Sequence, residues 1–129
     1  MKMKLTSGQF GEIEFEESAV LHIGEGVIGF EHLKRFLFIE NDSVFNWLLS
    51  VDEPEIIFPL FPIRFLYSDY PEIEGHEPFG IVRLHKNPEQ ITVNLKAPLY
   101  FMMDAKKGFQ KILDNDTYKI DYNLFVKEN

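Results

Sequence analysis

Residues 118–126 read Tyr118-Lys119-Ile120-Asp121-Tyr122-Asn123-Leu124-Phe125-Val126. Large apolar side chains fall on every second position, and Phe125 alone breaks the polar set between them. Neighbouring side chains of a strand point to opposite faces, so a period of two predicts a half-buried β-strand. The same period recurs in Glu12-Ile13-Glu14-Phe15-Glu16, with Ile13 and Phe15 on one face. It recurs again in Ile91-Thr92-Val93-Asn94-Leu95, with Ile91, Val93 and Leu95 inward.

Other apolar runs have strand length: residues 19–23, 36–39, 44–51, 56–61, 79–84 and 99–103. Turn-forming clusters separate them, among them Gly24-Glu25-Gly26, Glu40-Asn41-Asp42-Ser43, Asp52-Glu53-Pro54, Asp69-Tyr70-Pro71, Lys86-Asn87-Pro88 and Lys107-Gly108. Short strands with regular turn signals predict an all-β protein, an antiparallel barrel or sandwich with few short helical turns. Residues 29–33 suffice for one turn, and residues 72–78 read as a loop. With no repeat, low-complexity tract or linker in 129 residues, one domain is expected over residues 1–129. A chain of this length buries roughly two-thirds of its unfolded surface. Pro59, Pro62 and Pro98 stand close to predicted strands. Proline donates nothing to a ladder, so edges, bulges or strand starts are expected there, and residues 56–66 read as a bent or peripheral strand.

Composition narrows the function classes. There is no cysteine, hence no disulfide, thiolate metal site or cysteine nucleophile. The first residues lack the apolar core of a signal peptide, and no apolar run approaches a membrane span. The net charge of −8, with no basic cluster, argues against direct nucleic-acid binding and favours basic partners. Thirteen phenylalanines exceed what a small domain hides easily, so some rings are expected to face a partner.

Catalytic constellations are weak. Gly24-Glu25-Gly26-Val27-Ile28-Gly29 matches a dinucleotide-loop spacing, but that loop needs a following helix, and a strand at residues 36–39 arrives too soon. A tight turn using glycine at positive φ is the better reading. His22, His32, His76 and His85 have no ligand partners at metal spacing, and Glu72, Glu74, His76 and Glu77 read as a solvated acidic loop. No serine stands in a nucleophile elbow. No enzyme, metal or cofactor is therefore expected. Protein binding is the leading reading, and a barrel holding a small ligand is the alternative. Candidate partner-binding residues are Gly26, Phe30 and Glu31 in loop 26–31; Trp47, Ser50 and Asp52 at the end of a strand; and Phe61, Phe65, Asp69 and Tyr70 in strip 61–70. Trp47 also reads well as core.

Gly11-Glu12-Ile13, then Gly24-Glu25-Gly26-Val27-Ile28-Gly29-Phe30-Glu31, and then Trp47-Leu48-Leu49-Ser50-Val51-Asp52-Glu53-Pro54 with Phe58 occur in order along the chain. In this ordered set the chain resembles the flagellar assembly factor FliW family. Asp69-Tyr70, residues 91–99 and Gly108-Phe109-Gln110 follow in the family's order, so nearly the whole chain is covered. It departs from the family pattern at Phe61-Pro62, Met102-Met103-Asp104 and Phe109. The resemblance implies a cytoplasmic, barrel-like protein without enzymatic activity. It implies two partners, flagellin before export and the RNA-binding regulator CsrA, whose antagonism would couple flagellin translation to free flagellin. On its own the chain is expected to be a monomer.

Overall fold

The computed structural model describes residues 2–125. Strand β1 (Lys2–Ser7) and strand β2 (Gly11–Glu16) form an antiparallel hairpin in which Ser7 faces Gly11. Ser7 Oγ accepts from the amides of Gln9 and Phe10, both at 3.2 Å, and Gly11 takes φ +72°, the left-handed position that three-residue hairpin loops favour.

Seven further strands close a barrel. In ladder order they are β3 (Leu21–Ile23), β4 (Arg35–Ile39), β5 (Asn46–Ser50), β6 (Ile57–Pro62), β7 (Glu77–Arg83), β9 (Leu99–Met102) and β10 (Lys107–Gln110). Neighbours are antiparallel except where β10 meets β3 in parallel and shuts the ring. The far end of β7 also pairs with β8 (Thr92–Val93), which carries β11 (Tyr122–Asn123).

Alternate residues fill the barrel: Leu21 and Ile23, Phe36 and Phe38, Leu48, Phe58 and Leu60, Phe79 and Ile81, Leu99 and Phe101. Val27 and Leu33, from the β3–β4 connection, join this cluster. The opposite faces are covered as well. The hairpin lays Met3, Leu5, Ile13 and Phe15 over Leu37, Leu49 and Ile57. Elsewhere Trp47, Val82 and Tyr100 pack beneath Tyr70, Leu95 and Leu113. Strands buried on both faces lose strict alternation, which is why Trp47-Leu48-Leu49-Ser50 reads as a continuous run. Full burial of a side chain such as Leu48 or Leu49 stabilises the fold by roughly 1.5–3 kcal/mol.

The all-β expectation holds, and most predicted strands fall within two residues of the observed ones. Four local readings change. First, the alternation over 118–126 yields one short strand, β11. The partner β8 is itself two residues long and offers no longer template. Tyr118 instead packs on Tyr67 and Tyr70, Ile120 stands outside, and Val126 lies outside the described residues. Second, β6 is not peripheral but lies between β5 and β7. Its prolines fit because the two ladders are staggered: Pro59 pairs across to β5 alone and Pro62 to β7 alone, leaving each a side with no ladder to serve. Third, Lys107-Gly108 is not a turn but the start of β10, whose closure is non-local. Fourth, residues 77 and 78 of the expected loop open β7. Residues 29–33 form successive turns rather than a helix, with Phe30 N donating to Val27 O and Leu33 N to Phe30 O.

Candidate partner-binding surface

The turn after β3 needs glycine at position 26. Gly26 has φ +72°, and a Cβ there would stand 2.7 Å from Glu31 Cα and from its carbonyl oxygen. Glu31 folds back so that its carboxylate accepts from Gly29 N at 2.8 and 3.1 Å. Phe30 is half-buried and meets Phe58 edge to face at 5.2 Å. The large apolar side chain this turn leaves outside is Ile28, 55% exposed.

The second group lies mostly inside. Trp47 is buried against Phe10 and Phe45, and its Nε1 donates to Asn41 Oδ1 at 3.3 Å. Ser50 is fully buried, and its Oγ accepts from Glu53 N at 3.0 Å, holding the turn after β5. Asp52 is partly exposed and pairs with Arg35 at 2.6 Å; that hydrogen bond, with the charge behind it, raises the Arg35 pKa. His32 Nε2 lies 3.0 Å from Glu53, so the first two groups are neighbours.

In the third group Phe61 is half-buried and supports Phe65 at 6.3 Å, while Phe65 is 81% exposed. Asp69 is exposed. Tyr70 is enclosed: its hydroxyl donates to the Leu95 carbonyl, and burial, with Tyr100 and Tyr118 nearby, drives its pKa well up. Of the ten sequence candidates, then, Phe65, Glu31, Asp52 and Asp69 reach the surface and Phe30 and Phe61 do so in part. Gly26, Trp47, Ser50 and Tyr70 hold the fold.

Sequence reasoning missed a groove of about 310 Å³ between the β3–β4 connection and the β7–β8–β11 region. Ile28 and Ile120 form its exposed rims, and Val82 and Ala97 lie buried beneath. Arg83 and Asp121 also line it, and neither has an ion pair among the described residues. Gln110 ties the groove together: its Oε1 accepts from Ile28 N at 2.8 Å and its Nε2 donates to Ala97 O at 2.9 Å. Gly108, two residues earlier, has no room for a side chain, since a Cβ would stand 2.4 Å from the Phe101 ring and 2.8 Å from Tyr100 O. The Gly108-Phe109-Gln110 element was the signal in the sequence. Its geometric reasons, a close strand approach and a loop tether, need the fold.

Among the described residues, the side chains of the central cluster fill the barrel interior, where the small-ligand alternative needs open space. Among the described residues no cluster of His, Asp or Glu could hold a metal ion, and no helix is long and apolar enough to cross a membrane.

Comparisons with known proteins place this geometry. The family model described as FliW protein matches residues 4–77 and 72–124. A flagellar assembly factor FliW of Caldanaerobacter subterraneus subsp. tengcongensis is 36% identical over 139 aligned positions, covering 95% of this chain and 93% of the relative. One from Carboxydothermus hydrogenoformans is 38% identical over 138 positions, covering 95% and 89%. One from Clostridium tetani is 33% identical over 143 positions, covering 98% and 99%. A crystal structure of the flagellar assembly factor FliW superposes with a TM-score of 0.89 at 23% identity, covering 98% of this chain and all of that one, and so supports the fold. The name these relatives carry is that of an assembly factor, not of a catalyst. With family matches running from residue 4 to residue 124 and relatives above 30% identity along nearly their whole length, the chain belongs to the FliW family of flagellar assembly factors.

Proposed function

We propose that the chain is a cytoplasmic, non-enzymatic regulator of flagellar assembly. It binds flagellin before export and, when flagellin is scarce, binds and antagonises a CsrA-type translational regulator. The observation that carries this reading is the placement of apolar side chains outside a barrel whose inside is full. Ile28, Phe65 and Ile120 are each more than half exposed, although burying them would stabilise the fold. Exposed apolar groups beside a groove suit an amphipathic partner segment. The net charge of −8 suits the second partner, a basic RNA-binding protein, and lets it be steered electrostatically.

The test is fluorescence anisotropy of labelled monomeric flagellin against the wild type and against Phe65→Ala, Ile28→Ala and Ile120→Ser. At least one variant should weaken binding about tenfold at an unchanged melting temperature. Full affinity in all three would sink the apolar-surface reading. For the CsrA arm, the association rate should fall as added salt shortens the Debye length to roughly 8 Å and below. A salt-independent rate would remove the electrostatic part.

A further inference from the structure

A second surface lies on the barrel's outer face, clear of the ten sequence candidates. Ladder register sets four side chains side by side across adjacent strands. Lys107 on β10 pairs with His22 on β3 on one side and with Met102 on β9 on the other. Glu77 pairs with Phe101, so His76, one residue earlier, continues the row opposite Met102. Alternation agrees: Leu21, Ile23, Phe101 and Met103 belong to the barrel cluster, so His22 and Met102 face outward between them.

These residues line a shallow depression of about 500 Å³ with Phe109, Gly24 and Gly108. Met102 and the Phe109 ring supply apolar surface, and His76 meets that ring at 5.4 Å. The glycines add no side chains to fill it. Every ionisable group in the lining is a base, although the protein carries 21 acidic residues. Lys107 has no ion pair among the described residues, whereas the next cation in the row, Arg35, is matched by Asp52. His76 Nδ1 lies 2.8 Å from the carbonyl oxygen of Glu74. That oxygen can only accept, so Nδ1 is the donor of this hydrogen bond. Asp104, in the β9–β10 turn, is not in the lining, and Glu72, Glu74 and Glu77 line a separate depression on the other side of His76, where Arg64 pairs with Glu72 and Glu77.

We propose that this row is a docking strip for an extended segment of a partner polypeptide that carries carboxylates beside apolar side chains. Charge complementarity selects the sign: bases over an apolar floor, on a protein that otherwise repels anions. The dimensions select a peptide. Strands stand about 4.8 Å apart, so the row from His76 to His22 spans about 14 Å, the reach of roughly four extended residues. A basic partner would be repelled here. The proposal does not depend on which protein carries the acidic segment.

The experiment is an amide-resolved NMR titration of the intact chain with acetyl-Leu-Glu-Leu-Glu-Leu-Glu-amide, and in parallel with its Leu-Gln counterpart. Saturable shifts should centre on His22, Lys107 and Phe109. The Leu-Gln peptide should bind at least about fivefold more weakly, and Lys107→Gln should weaken the acidic peptide by a similar factor at an unchanged melting temperature. Lys86→Gln, an exposed base outside the row, should leave affinity unchanged. The proposal is overturned by shifts centred elsewhere, by no saturable shift, by equal binding of both peptides, or by an equal loss in the Lys86 variant. It is likewise overturned if the same amides shift with protein concentration alone, which would assign the strip to a second copy of this chain.

Discussion

Replacing Gln110 with Ala removes two hydrogen bonds that join three parts of the chain: the Ile28 amide, the Ala97 carbonyl and strand β10. The two ends are not equivalent. Ile28 is largely exposed, so water replaces the lost acceptor and the net cost there is about 0.5–1 kcal/mol. Ala97 is buried, so its carbonyl loses a donor without ready access to solvent, at about 1–3 kcal/mol. The expected loss is therefore roughly 1.5–4 kcal/mol, or a fall in melting temperature of about 5–15 °C for a chain of this size. Native-state amide exchange separates the local effect from the global one. Protection of the Ile28 amide should fall at least tenfold more than that of Leu48 and Leu60 in the barrel core. Gln110→Glu supplies the control, because it keeps the acceptor for Ile28 and loses the donor for Ala97. It should destabilise the protein yet keep Ile28 selectively protected. Unchanged Ile28 protection in the Ala variant, or an equal selective loss in the Glu variant, would refute the tether.

Three further outcomes are expected. Leu48→Ala empties part of the barrel interior and should cost about 2–5 kcal/mol in urea unfolding. Phe65→Ala, at a site 81% exposed, should change unfolding free energy by less than about 0.5 kcal/mol, so any loss of partner binding is read directly as surface. Burial raises the pKa of Tyr70, and also that of Tyr100 and Tyr67. Because the native phenols ionise at higher pH than unfolded ones, which do so near pH 10, their contribution is complete below about pH 10 and is lost as pH rises through their native range. Tyr70 alone should contribute a slope of up to about 1.4 kcal/mol per pH unit, and Tyr70→Phe should flatten the alkaline decline measured between pH 8 and 11.5.

What could be read from the sequence followed from burial. The strands around Phe36, Leu48, Leu60, Phe79 and Phe101 are packed on both faces and stand out as apolar runs bounded by turn residues. The alternating segment 118–126 misled because alternation reports a suitable side-chain pattern, not the presence of a neighbouring strand, and β8 offers two residues to pair with. Barrel closure was hidden for the opposite reason. Lys107-Gly108 has the composition of a turn, and glycine is needed there because the Phe101 ring crosses over it from the neighbouring strand. The partner-facing candidates divided by orientation. Trp47 and Tyr70 are the residue types that interfaces favour, and in this fold both face inward, with polar tips bonded to Asn41 and Leu95. Ile28 reaches the surface within a motif whose glycines drew attention first. Gln110 matters through a contact 82 residues away in sequence, which no local pattern can reveal.

The most direct measurement is calorimetric titration of the protein with monomeric flagellin of the same organism, and separately with its CsrA-type regulator. The account predicts saturable binding to each, with added flagellin displacing the regulator. Binding to neither would contradict it and leave the family fold without the proposed switch.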